Sequence, residues 1–243
     1  MAVCAVHQDN LSILQQPAPA GAVWADLEMV TPILCFDSAE HWFPVAVEES
    51  VWPYGYLWSN EQKSWTKNGS TTVKCLDFPA DMVSPDFPPV GYHRAVRDQF
   101  LWWHLFGLWY LYNPKEYAWR GQHEGDWEFV AIATADQAGD EPVLVYGSQH
   151  SSGVGRVAWK CELSTSRPVI YVAVGSHANY LGRTHTALDR ADGQGRVMAT
   201  IEWREFGLWA NWRGKWGNSD NSPGPLSTRM LWRAPALTYA QGK

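Results

Sequence analysis

The chain has no CxxC pair, no block of like charges and no apolar run long enough to cross a membrane as a helix. Each absence removes a class of protein. Its four cysteines, Cys4, Cys35, Cys75 and Cys161, lie far apart, which argues against a zinc ribbon and against a dense disulfide framework. Nineteen basic and 25 acidic residues are spread along the sequence for a net charge of −6, so no basic stripe is offered to nucleic acid and no polybasic run to anionic lipid. The run FLWWHLFGLWYLYN carries a histidine and falls well short of the ~20 residues that a spanning helix needs. The opening MAVCAVHQDNLSILQQ lacks a charged region followed by a long apolar stretch, so no secretion signal is expected and a cytoplasmic location is.

What the chain has in excess is tryptophan, 16 in 243 residues. Such a load implies a core, or pocket walls, built of large flat side chains that bury much area on few torsions. The length suits one domain of ordinary all-β size. Residues 1–26, with QQPAPAGA, read as an irregular lead-in to a single domain over 27–238. Strand candidates begin at Met29–Phe36, with a short edge-like stretch at 51–58 that contains Pro53. Residues 59–93, polar and then proline-rich, read as a long loop or lid. From residue 99 onward β-branched and aromatic runs follow one another: FLWWHLFGLWYLYN, as one strand or as two broken near Gly107, then 126–134, 141–150, 156–163 and 167–177. TALDRADGQGR is the one candidate for a helical turn. Short strands with little helical periodicity predict an all-β sandwich with long loops and a Trp-, Gly- and Pro-rich C-terminal segment.

The chemistry concentrates in GQHEGDWEFV. On a strand, Asp126 and Glu128 share one face while Trp127 and Phe129 take the core face. Two carboxylates so placed, roughly 6–7 Å apart at the backbone, repel unless a cation, a proton or an arginine lies between them. His123 stands just before them. Oxygen-rich ligation with one imidazole suits Mg²⁺, Ca²⁺ or Mn²⁺, with Zn²⁺ or Fe²⁺ as the second choice; the competing reading is a surface strand with solvated acids. Two further histidines, His150 in YGSQHSSG and His177 in VAVGSHANY, each follow Gly-Ser at a strand end and are the acid/base candidates. No GxSxG elbow, HExxH zincin motif or phosphate loop is present.

The ordered set HEGDWE, YGSQHSSG, PVIYVAVGSHANY and WRGKWGNSDNSPGP, with TPILCFDSAEHWFP before it, resembles the vacuolar protein sorting-associated protein 62 family over roughly residues 30–235. More distantly, His123, Asp126, Trp127 and Glu128 keep the His-x-x-Asp-Trp-Glu spacing of the necrosis- and ethylene-inducing peptide-like cytolysins. Glu124 and Gly125 depart from the cytolysin signature. That second resemblance implies a β-sandwich, a divalent cation held by His123, Asp126 and Glu128, and a further acid at Glu116 in YNPKE. The expected activity is metal-assisted acid/base chemistry on a small organic substrate in an aromatic pocket, with Trp127, Arg183, His185 and Trp212 as candidate lining residues. The alternative is a cation-dependent module for a glycan or lipid headgroup without catalysis, in which exposed Trp203, Trp209, Trp212 and Trp216 stack on sugars or sit at the headgroup layer.

Overall fold

The computed structural model describes residues 30–50, 58–59, 64–65, 89–97, 101–114, 123–135, 141–149, 152–186, 189–194, 201–207, 210, 216 and 225. The lead-in over 1–26 and most of the 59–93 loop lie outside these residues. The fold is an all-β sandwich. Its strands are β1 (Ile33–Phe36), β2 (Trp58–Ser59), β3 (Ser64–Trp65), β4 (Val90–Arg97), β5 (Trp102–Asn113), β6 (His123–Thr134), β7 (Pro142–Gln149), β8 (Ser152–Val157), β9 (Leu163–Ser164), β10 (Arg167–Val172), β11 (Asn179–Tyr180), β12 (Thr184–His185), β13 (Arg190–Ala191) and β14 (Glu202–Glu205). A four-residue helix, α1 (Val47–Ser50), and a 3₁₀ turn at Ala158–Lys160 interrupt them.

The larger sheet has the order β14-β4-β5-β6-β7-β8, and the smaller one β1-β10-β11 with β9 paired to β10. From β4 to β8 the large sheet is an antiparallel meander. Both sheets also take a parallel strand from far along the chain: β1 lies beside β10 and β14 beside β4.

Three apolar clusters follow from this layering. Leu34 and Phe36 of β1 and Ile170 and Val172 of β10 meet Phe106 and Leu108 of β5 and Val130 and Ile132 of β6, forming the interior between the sheets. The outer face of the large sheet carries Tyr92, Trp103, Trp109, Trp127 and Phe129, covered by α1 and by Ala210 and Trp216. Trp216 meets Trp109 and Trp127 edge-on, at centroid distances of 5.1 and 5.6 Å. Cys35, Val169, Tyr171, Ala178 and Ala191 form the third cluster, on the smaller sheet. Because β5 and β6 are covered on both faces, they read as nearly continuous apolar runs.

Several boundaries differ from the expectation. Of the two readings left open for FLWWHLFGLWYLYN, the single strand is the one found, over Trp102–Asn113. Gly107 does not break it; a Cβ there would press on the ring of Phe206, so the glycine admits that ring. β4 lies partly in the stretch read as loop. Its glycine and two arginines hide the alternation, and Gly91 is required because the Trp203 ring occupies the place of a Cβ. The 156–163 run is not one strand: β8 ends at Val157 and the 3₁₀ turn leaves Trp159 75% exposed. The described part of TALDRADGQGR carries β13, not a helical turn. Among the described residues no helix is long and apolar enough to cross a membrane.

Two histidines sit inside the sheet. His93 of β4 and His104 of β5 are buried, with Nε2 and Nδ1 3.2 Å apart. Burial pushes both below the ordinary imidazole range, to about 3 for His93, which the neighbouring His104 lowers further, and to about 4 for His104.

Candidate cation site

β6 begins at His123, so that residue is on the strand, paired to Asn113, and not before it. Gly125 follows at φ 68°, where a Cβ would overlap the Trp216 carbonyl. This left-handed residue suits glycine. Beyond it Asp126 and Glu128 continue the row of Val130 and Ile132. They point into the space between the sheets, not to an open face. Trp127 takes the opposite side and is buried in the outer cluster.

The acids meet the turn after β10. Residues 173–178 reverse tightly, with Ser176 N–H donating to Val174 O and His177 N–H to Ala173 O. Gly175 and His177 both have positive φ, 68° and 52°. His177 is fully buried and lies flat on Tyr110, ring centroids 3.8 Å apart at 3°. Its Nδ1 is 3.0 Å from Asp126 Oδ2, and its Nε2 is 3.8 Å from Glu40 Oε1. Burial opposes the imidazolium, but the Glu40 charge, 3.8 Å from Nε2, and the hydrogen bond to Asp126 outweigh it and lift His177 to about 9.

Glu128 lies deeper. Ser148 Oγ donates to its Oε2 and accepts the Phe129 N–H at 2.7 Å. Burial, and then the charge of Asp126, push the Glu128 carboxyl well above the usual range. Asn179 Nδ2 bridges Ser148 Oγ and Phe129 O, each at 3.4 Å. Glu40 completes the ring of groups. Burial raises its carboxyl, yet the His177 charge and the backbone bonds prevail and hold it below the usual carboxylate value.

Of the residues singled out from sequence, Asp126, Glu128 and His177 are thus brought together. The side chain of His123, and all of Glu116, His150, Trp209 and Trp212, lie outside the described residues. Trp127 does not line a pocket with the acids, since it is sealed on the other face at 2% exposure. Arg183 is exposed over the ring of Tyr171, which belongs to the third cluster, and His185 is exposed on β12. Trp216 is buried and Trp203 packs edge-on against Phe106, so neither offers the free aromatic face expected of it. Sequence reasoning passed over Glu40, Tyr110, Ser148 and Asn179. Ser148 and Asn179 sit inside the GSQH and GSHANY motifs, and Glu40 inside DSAEHWFP.

Among the described residues no group of three or more His, Cys, Asp or Glu side chains converges as a metal site. His177 lies between two acids, Asp126 and Glu40, and both described bonds to Asp126 end on Oδ2.

Residues 116–196 match the family of vacuolar protein sorting-associated protein 62. The expected kinship is upheld over that span, which carries Asp126, Glu128, Ser148, His177 and Asn179. No curated protein matches the chain. Among solved structures it is similar to NLPPya in complex with mannosamine, at 20% identity and a TM-score of 0.44 over 73% of this chain and 75% of that one. It is also similar to the non-toxic HaNLP3 protein, at 16% identity and a TM-score of 0.45 over 72% and 76%. A third is Necrosis and Ethylene inducing Protein 2 from the causal agent of cocoa's Witches Broom disease, at 13% and 0.43 over 80% and 76%.

Proposed function

We propose that the chain is a cation-dependent binding module. Asp126 of β6 holds a divalent cation of the Mg²⁺, Ca²⁺ or Mn²⁺ type, with His123 as the second ligand proposed from the sequence motif, and hydroxyl or headgroup oxygens of a glycan or lipid complete the coordination. The observation that carries this reading is the asymmetry of one carboxylate. Asp126 Oδ2 is engaged by His177 and, at 3.5 Å, by Asn113, while its side chain keeps 12% exposure against 1% for Glu40 and none for His177. Oδ1 is therefore the oxygen left for a ligand from outside. Hard divalent cations favour such oxygens and keep sites open to further oxygen ligands. When bound, the cation supplies a fixed positive centre for polar oxygens.

Metal-assisted catalysis needs a group that passes protons to substrate or solvent. His177 is sealed with both ring nitrogens facing carboxylates, and Glu128 is sealed beneath Ser148, so these groups favour binding over chemistry. The test is elemental analysis of the parent and of Asp126→Asn after dialysis without chelator. Near-stoichiometric metal in the parent and little in the variant is expected, together with cation-dependent pelleting of the parent on glycolipid-bearing vesicles. Equal metal content in both proteins, or none in either, overturns the cation reading. Pelleting that persists in EDTA overturns the coupling of cation to ligand.

A further inference from the structure

We propose that Glu40 is the positioning residue of this site: it pins the Gly175–His177 turn and, through His177, orients the Asp126 carboxylate so that Oδ1 stays available. The inference rests on the reading of Asp126 as a cation ligand. Glu40 lies 86 positions before Asp126 (126 − 40), outside every motif around the acids.

Three observations converge on it. The first is that both Glu40 oxygens are committed to main chain. Oε1 accepts the N–H groups of His41 and Trp42 at 2.9 and 2.7 Å, and Oε2 accepts that of Gly175 at 2.7 Å. A carboxylate held at both oxygens has no freedom to rotate, so its charge sits at a fixed place. It is buried at 6% exposure, with the His177 ring beside it and Nε2 at 3.8 Å.

The second observation is the backbone of His177. A non-glycine residue at φ 52° is uncommon and persists only where its surroundings hold it. Here the hold is threefold: the stack on Tyr110, the bond from Gly175 N–H to Glu40, and the contact of Nδ1 with Asp126. The third is that His177 Nε2 has no hydrogen-bond partner among the described residues. The ring is therefore held by its stack on Tyr110, by Asp126 at Nδ1 and by the Glu40-anchored turn that carries it. Glu40→Gln keeps only one acceptor oxygen, so the Gly175 turn loses its anchor, and the shifted ring carries the Asp126 carboxylate with it at the expense of the outside ligand.

A purely structural Glu40 would cap Trp42 and Gly175 and do nothing more, and two variants separate the cases. Calcium and manganese affinities are measured by calorimetry on the full chain for the parent, Glu40→Gln, His177→Asn and the double variant, with near-UV circular dichroism as the check on folding. Asparagine is chosen because it tolerates positive φ. The expected result is a loss of at least tenfold in each single variant, with the double variant no weaker than His177→Asn alone, because the two residues act on one line. Parent-like affinity in Glu40→Gln, or losses that multiply, overturns the proposal. Should Glu40→Gln fail to fold, Glu40→Asp keeps the charge one methylene short and is expected to bind between parent and His177→Asn; affinity equal to the parent's overturns the proposal. If the parent binds neither cation, the binding-module reading falls by itself. The positioning claim is then decided by the His177 ring-proton resonances, which the Tyr110 ring shields. They are expected to move in the Glu40 variant, and unmoved resonances refute it.

Discussion

His93 and His104 are buried histidines whose electrostatics run opposite to those of His177. No carboxylate is described beside them, so burial keeps them neutral, with folded values of about 3 and about 4 against roughly 6.5 in the unfolded chain. Their contribution to stability is intact above pH ~6.5. As pH falls below that, the unfolded chain takes up protons that the folded chain refuses, and stability declines until the folded values are reached. Between pH 7.5 and 5 the expected loss is about 2 kcal/mol per histidine, read as a lower urea midpoint, and His93→Gln/His104→Gln removes that part of the slope. An unchanged slope in the double variant contradicts this account. At this scale the sequence was legible where chemistry is local. His177, Asp126 and Glu128 could be picked out because a strand places alternate acids together and a Gly-Ser turn presents a histidine. Glu40 and Tyr110 could not, because what makes them matter is a contact across the sandwich.

Within β6, Gly125 is the position that ties the site to the outer layer. Any side chain there meets both a disfavoured backbone angle and the Trp216 carbonyl. Gly125→Ala is expected to cost at least ~2 kcal/mol in a denaturation series and to weaken cation binding as the start of β6 shifts; parent-like stability would show that the strand start relaxes freely. Strand existence was legible from β5 to β10 wherever β-branched and aromatic residues ran together. Boundaries were not. β4 escaped because Gly91, Arg94 and Arg97 interrupt its pattern, and the 156–163 run was over-read because an exposed Trp159 imitates a strand residue. Trp127 shows the same limit from the other side, since alternation assigns it a face but not what covers that face.

At the scale of the whole molecule, the described tryptophans other than the exposed Trp159 are largely a matter of packing. Trp109, Trp127 and Trp216 close the outer face of the large sheet, so Trp216→Ala is expected to cost about 3–5 kcal/mol by chemical denaturation. A cost under ~1 kcal/mol would mean that the C-terminal segment carrying Trp216 adds little to the fold. The sandwich class was legible from composition and strand spacing. The sheet order was not, because the partners that close each sheet stand far apart: Ile33 pairs with Val169 and Glu202 with Val90.

Those two parallel closures carry a consequence for the order of assembly. Hairpins such as β5–β6 and β7–β8 join neighbours in sequence and close short loops, whereas β1 must find β10 across 136 positions (169 − 33) and pay the larger entropy of that closure. Loop-closure entropy alone therefore predicts that the meander carrying the β6 carboxylates forms before β1 docks and brings Glu40 in beside His177, an order that pulse-labelled hydrogen exchange would read. On that order the proposed site would be completed by the strand made first in sequence and docked late, with its acids in place before Glu40 reaches the turn after β10.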